Sequence, residues 1–515
     1  MLVVLGDRAD EHAVFRDEGR GYWVAALRVV LEKHGVLRWA SRSPTSLLTE
    51  TDRLAPLVIG RLPAARWTPE LLARVQAHEG PVLLEAPVPL ELLDLLGATA
   101  HGPLDRSLRL HVTDARTATA ANGFGAAPGG EIEPTRIRPI DRDPALDWQL
   151  TPGVDVTPRQ AEAWRRPGWD VEHWSVGPDT AVLAEWRSPA GGAWPAVVRR
   201  GTLTVASFGL LGAITQAHTS EPFDGAEMRS SPRTLGFEVL ALALLAQLHE
   251  ASNRPFVRID PWPSDHGWAL NVRHDFDRPL RRREVQWRLD AHDRLGTRAT
   301  WYWRARHVGA APGERRQHRR GPGPLAGRRA IKAAAANPRH EVAWHTERLG
   351  PPSDAERRRI ERAAKVRLTG SCAHGAADCF RYQGAPNVLW AHAAGLRYTE
   401  LIQRAHMHPH RFPALTADGG IDVLDIICLP HHESLDRSMR DGDVNSDRIM
   451  QMAEHFRRAG GLLQVMNHPD INQEHLFELL RDLPRDGRLD VTASEAADWW
   501  AASHVIPSDR RKLSP

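Results

Sequence analysis

The chain has little cysteine, little lysine and no long apolar run. Its three cysteines are Cys372, Cys379 and Cys428, in 515 residues. Three cannot build a disulfide framework, and these spacings match no zinc finger or ribbon. They read as small buried side chains in a reducing compartment. Only four of the 67 basic residues are lysine: Lys33, Lys332, Lys365 and Lys512. With abundant Ala, Gly and Pro, this reads as GC-rich codon usage, so the pI of 8.9 says little about partners. The net charge of +3 is too small to imply a nucleic-acid or membrane partner. The most apolar stretch, Val239 to Leu248, is about half the ~20 residues of a membrane span. Met1 to Gly6 leads straight into Asp7, Arg8, Asp10 and Glu11, without the basic start and longer apolar core of a secretory signal. The expected location is therefore cytoplasmic.

What is present is the mix of a soluble globular protein, 42% apolar and 25% charged, which excludes a mostly disordered chain and a collagen-like fibre. At about 100–200 residues per domain, the length implies two to four domains. The 26 histidines and 18 tryptophans are high for this length and direct attention to buried His sites.

In the first half, apolar runs alternate with helical spacing. Leu2 to Leu5, Leu57 to Ile59 and Pro81 to Leu84 read as strands. Gly21 to His34, Thr68 to His78 and Leu90 to Leu96 read as helices, with Thr68 as N-cap and Pro69 in the first turn. Short loops between them predict a parallel sheet covered by helices. Residues 112–165 break the pattern and read as an irregular insert. Strands return at Thr180 to Trp186, Ala196 to Arg199 and Leu203 to Phe208, with a hairpin turn at Pro189 to Gly192. Thr234 to Ala251 reads as a helix that closes a domain over 1–255. This order resembles a class I glutamine-amidotransferase-like domain, a flavodoxin-like parallel sheet. Active members of that family need a Cys nucleophile on a strand-to-helix elbow. Here that segment is Leu84-Glu85-Ala86-Pro87, and no Cys precedes residue 372. The resemblance therefore implies a domain without that chemistry.

The second half carries the chemical signals. Trp268 to Val272 is a strand-like run that leads into Arg273-His274-Asp275-Phe276-Asp277. Carboxylates at i and i+2 on a strand point to one side, and a cation between them relieves their repulsion. A second strand follows at Ala299 to Trp303. Glu341 to Trp344 ends in His345, Leu368 to Ala373 ends in His374-Gly375, and Leu462 to Met466 ends in Asn467-His468-Pro469. Each run delivers an Asp or His where strand becomes loop, the edge at which barrel-like α/β folds gather catalytic groups.

Together these residues resemble the polysaccharide deacetylase superfamily, the NodB-like carbohydrate esterases, over roughly 265–502. The resemblance implies an irregular (β/α) barrel over 256–505, followed by a tail at 506–515. It implies one divalent metal, Asp275 as general base, Asp277 and His345 as metal ligands, and His468 as general acid. The family's usual second His ligand, four residues after the first, is replaced by Leu349. A subgroup instead carries a later His-Gly segment. Ser371-Cys372-Ala373-His374-Gly375, followed by Asn387 and Trp390, is similar to that version, making His374 the candidate third ligand and Glu347 its competitor. Arg273 and Arg381 both stand as substitutes for the family's base-orienting Arg.

One carboxylate and two imidazoles suit a borderline cation such as Zn²⁺, which acidifies water and polarises a carbonyl. The implied reaction is hydrolysis of an acyl amide on a sugar, the acyl group being acetyl in the usual case. A cytoplasmic location would favour a nucleotide-sugar or small glycoside substrate. A catalytically lapsed sugar-binding or scaffold protein is the alternative implied by Leu349, and a hydrolase of another C–N or ester bond is a third. From Arg278 to Arg329 there are 15 Arg against four acids, which fits either an anionic ligand or a solvated face. His431-His432 lies at another strand end, and Trp301, Trp303, Trp344 and Trp390 suit either sugar stacking or core packing.

Overall fold

The structure is a computed structural model. It describes residues 1–4, 28–29, 31–36, 39–60, 62, 64–103, 109–117, 171–188, 191–210, 235–263, 265–276, 279–308, 324–346, 353–373, 385–402, 408–415, 421–431, 433–435, 446–469 and 473–504. Two compact units result: Met1–Pro222 with Ser231–Ile259 and Pro413–Val423, and Phe223–Ser230 with Asp260–Phe412 and Leu424–Pro515.

The first unit is built on an eight-stranded sheet. Its strands are β1 (Leu2–Val4), β2 (Ala40–Arg42), β3 (Leu57–Ile59), β4 (Val82–Glu85), β6 (Arg109–Val112), β8 (Ala181–Arg187), β9 (Ala193–Arg200) and β10 (Leu203–Ala206). The order is β2-β1-β3-β4-β10-β9-β8-β6. From β2 to β10 the pairings are parallel, and from β10 to β6 antiparallel. A separate antiparallel pair joins β5 (Ala98–Pro103) to β7 (Glu172–Val176). The sheet is thus parallel over five strands, as the strand–helix alternation predicts, and antiparallel from the hairpin region onward. The β8–β9 hairpin tightens where Ser188 N donates to Gly192 O at 2.8 Å and Gly191 takes φ 93°, a conformation that favours Gly. Thr68 caps the helix Pro69–Gln76 by accepting from Leu71 N, as its sequence predicts. The helix expected over Gly21 to His34 and the insert at 112–165 lie mostly outside the described residues.

The second unit holds most of a ten-stranded sheet, two of whose strands run into the Pro413–Val423 segment. Its strands are β11 (Trp268–Asp275), β12 (Ala299–Trp303), β13 (His340–Thr346), β14 (Gly370–Ala373), β15 (Tyr398–Ile402), β16 (His410–Leu415), β17 (Ile421–His431), β18 (Glu433–Ser434), β19 (Leu462–Asn467) and β20 (Arg488–Asp490). The order is β16-β17-β15-β14-β13-β12-β11-β19-β18, with β20 also on β11. From β17 to β18 every neighbouring pair is parallel. Among the described residues no pairing joins the two ends of this order. Strands buried on both faces explain the mostly apolar, non-alternating runs: every residue of β11 and β12 is buried.

Trp268, Trp301, Trp303, Trp344, Trp500, Tyr302 and Tyr398 fill the core. Trp303 stacks on Phe276 with ring centroids 4.1 Å apart. Trp301, Trp303 and Trp344 are therefore packing residues, while Trp390 is half-buried. Gly370 opens β14 because a Cβ there would lie 2.0 Å from the Tyr398 ring. Parallel pairing brings the carboxyl ends of β11, β13, β14 and β19 to one edge.

Candidate metal centre

Side chains alternate along β11, so Asn271, Arg273 and Asp275 share one face and His274 takes the other. Arg273 grips Asp275 with two parallel bonds, Nε to Oδ1 at 2.6 Å and Nη2 to Oδ2 at 2.5 Å. This is the planar fork that only Arg offers a carboxylate. Its remaining nitrogen, Nη1, donates to Glu400 on β15. Tyr302 on β12 donates its hydroxyl to the other oxygen of Glu400. Gln464 on β19 donates to Glu400 Oε1 at 3.3 Å and to Asn271 Oδ1 at 3.1 Å. Four strands are tied together by this buried network, and Arg273 also lies over the Tyr302 ring at 5.2 Å.

His345, near the end of β13, brings Nε2 to 3.8 Å from Asp275 Oδ2. On the next strand Cys372 pairs in register with His345 and brings Sγ to 3.9 Å from Asp275 Oδ1. The three ligand atoms lie within 4.8 Å of one another, and all three residues are buried. The described site thus fits a borderline cation. Around a tetrahedral Zn²⁺, bonds of about 2.0–2.3 Å separate ligand atoms by about 3.3–3.7 Å. The two distances to Asp275, 3.8 and 3.9 Å, are slightly wider, and no spacing exceeds 4.8 Å. Each Asp275 oxygen can accept a further interaction, because a carboxylate has about four lone-pair directions and Arg273 uses two.

Burial pushes the Asp275 carboxyl up, but the charges of Arg273 and His345, the Arg273 fork and His468 outweigh it, leaving a pKa of about 2. Burial raises Glu400, opposed by Arg273 and by the Tyr302 bond. His468 follows β19 directly and is half-buried. The segment beyond it is fixed by Arg288, which donates to the carbonyl oxygen of Pro469. On the opposite face of β11, His274 Nε2 meets His292 Nε2 at 2.8 Å. Burial holds His274 down to about 3, so this pair is neutral and acts as packing.

Of the residues singled out in the sequence, Asp275 and His345 are brought together, and His468 acts electrostatically on Asp275. Asp277, Glu347, Leu349, His374, Arg381 and His432 lie outside the described residues. Of the two candidate orienting arginines, Arg273 is seen bound to Asp275. Sequence reasoning missed Cys372, Glu400, Tyr302 and Gln464 as members of this cluster. For Glu400 the available signal was a carboxylate inside the strand-like run Tyr-Thr-Glu-Leu-Ile; for Cys372 it was a thiol at the strand end beside His345's.

No family model matches the chain, and no curated protein does. Among solved structures, the chain is similar to a protein assigned as a polysaccharide deacetylase from Mycobacterium smegmatis. Identity is 16%, over 48% of this chain and 94% of that one, with a TM-score of 0.35. It is also similar to the peptidoglycan deacetylase PdaC from Bacillus subtilis, at 16% identity over 50% of this chain and 100% of that one, TM-score 0.28. A CE4 family pseudoenzyme from Bacillus anthracis matches at 13% identity over 48% of this chain and 73% of that one, TM-score 0.28. The functional argument rests on the site residues. Among the described residues, no helix is long and apolar enough to cross a membrane.

Proposed function

We propose that the second unit is a metal-dependent hydrolase that removes an acyl group, acetyl in the usual case, from an amidated sugar or related carbohydrate. The observation that carries this reading is Asp275 clamped by Arg273 and facing His345 and Cys372 at the carboxyl edge of a parallel sheet. In this reading Asp277, His345 and His374 hold the cation. When bound, such an ion acidifies water and polarises the substrate carbonyl.

The other steps fall to the chain itself. Asp275 accepts a proton from the attacking water. At a pKa of about 2 it is a weak base, so it works only on water that is already acidified. The Arg273 fork fixes the orientation of its oxygens. As the C–N bond breaks, His468 gives its proton to the amine, which would otherwise leave as an amide anion. The Arg-rich stretch from Arg278 to Arg329 suits an anionic group on the substrate, as in a nucleotide sugar. The first unit, with no Cys before residue 372, serves as an amidotransferase-like binding or structural domain without that chemistry.

One observation favours a second reading. Leu349 stands where the resemblance expects a His ligand, as it would in a sugar-binding or scaffold protein whose site has lapsed. Acetate release from a panel of N-acetylated amino sugars and nucleotide sugars, with Zn²⁺ and with chelator, separates the two. Chelator-sensitive release supports the hydrolase, and no release from any substrate with the metal bound supports the binding protein.

A further inference from the structure

We propose that Cys372 is a thiolate ligand of this centre, beside His345. The inference rests on the metal-dependent reading above. It begins with register: His345 and Cys372 are direct partners across parallel strands β13 and β14, so their side chains leave the sheet on the same face. Both face Asp275, at 3.8 Å for the imidazole nitrogen and 3.9 Å for the sulfur, on different oxygens of the carboxylate. The soft sulfur of Cys372 and the imidazole nitrogen of His345 form a donor pair for a borderline cation beside the Asp275 carboxylate, all three buried and mutually within 4.8 Å.

The plainer role for a buried cysteine is apolar packing. Cys428, on β17, provides the comparison within the same sheet. It is buried too, and burial drives its thiol well above the usual range. It does not belong to the three-residue group. Cys372 differs in what surrounds it, the Asp275 carboxylate and the His345 imidazole. A thiolate also selects among cations, favouring Zn²⁺ over the hard ions Mg²⁺ and Mn²⁺. Binding releases the thiol proton, leaving sulfur as a ligand and not as a nucleophile.

Cobalt substitution tests this without any activity assay. The metal-free full chain is titrated with Co²⁺ while near-ultraviolet and visible absorption are recorded. A thiolate ligand gives a sulfur-to-cobalt charge-transfer band in the near ultraviolet, separate from the weaker visible ligand-field bands. We expect this band in the wild type and in Cys379→Ser/Cys428→Ser, where Cys372 is the sole thiol, and its loss in Cys372→Ser. The double variant keeps Asp275, His345 and Cys372, so the test survives a Cys372→Ser chain that does not fold. Ligand-field bands without a charge-transfer band in the wild type, or loss of the band in the double variant, would overturn the proposal. Either result would leave the hydrolase reading standing on nitrogen and oxygen ligands. No cobalt binding at all would overturn both.

Discussion

Replacing Arg273 by Met should cost more stability than any other single change at the centre. The guanidinium is buried between two buried carboxylates, and Met keeps most of its volume while deleting the charge and every donor. Removing one partner of a buried ion pair strands the other, at about 3–5 kcal/mol. The Asp275 pKa supplies an independent check. A fall from 3.8 to about 2 is worth about 2 kcal/mol at neutral pH, and Arg273 is the largest of the groups that lower it. The sign follows from that depression. In the wild type, Asp275 contributes stability that is complete above about pH 4 and is lost as pH falls towards 2. In Arg273→Met, burial dominates and the carboxyl is pushed up, so the penalty is largest at neutral pH and eases on acidification. At about 2–4 °C per kcal/mol for a unit of this size, the midpoint should fall by about 6–20 °C. The assay is thermal unfolding of the full chain followed by tryptophan emission, since Trp268, Trp301, Trp303 and Trp344 are buried in the strands that carry the network. Adding Asp275→Asn and Glu400→Gln removes the stranded charges and should recover much of the loss. A single variant within about 2 °C of wild type, or a triple variant no better than the single one, would refute the reasoning.

Three further outcomes follow from the same geometry. Asp275→Asn should keep the fold and bound metal yet lose about 10²–10⁴-fold in kcat, and full retained activity would remove its role as base. His468→Ala should lose amide hydrolysis while sparing an activated ester, whose leaving group needs no proton; equal losses on both would argue against a general acid. Gly370→Ala should lower stability by about 1–3 kcal/mol, because the new methyl meets the ring of Tyr398, and an unchanged thermal midpoint would falsify that close approach.

Much of the second unit is written locally. The mostly apolar run from Trp268 to Val272, interrupted at Asn271, marks a strand buried on both faces, and the Asp and His residues stand where such runs stop. The N-cap at Thr68 and the strands at Leu57–Ile59 and Leu203–Ala206 are local as well. What escaped the sequence is what register and distance create. Glu400 meets Arg273 across 127 positions, and nothing near Tyr398-Thr399-Glu400 distinguishes a buried carboxylate from one facing water. Cys372 joins His345 only because β13 and β14 pair in one register. In the first unit, β2 and the β5–β7 pair are too short or too mixed in polarity to show periodicity. The β8–β9 hairpin is marked by its turn residues, but the antiparallel pairing of β6 with β8 follows from partners, not from composition. The Arg273–Asp275 fork is legible in hindsight, since residues two apart on a strand share a face, but an Arg beside an Asp is equally common on surfaces.

The most direct test of the central claim is elemental analysis of the purified full chain, after Zn²⁺ has been offered and excess removed, beside His345→Ala. The account predicts one divalent ion per wild-type chain and its loss in the variant, because the ligand atoms meet at His345. A wild-type chain that retains no metal would contradict it and leave the buried Asp275, His345 and Cys372 as a packed cluster within a binding protein.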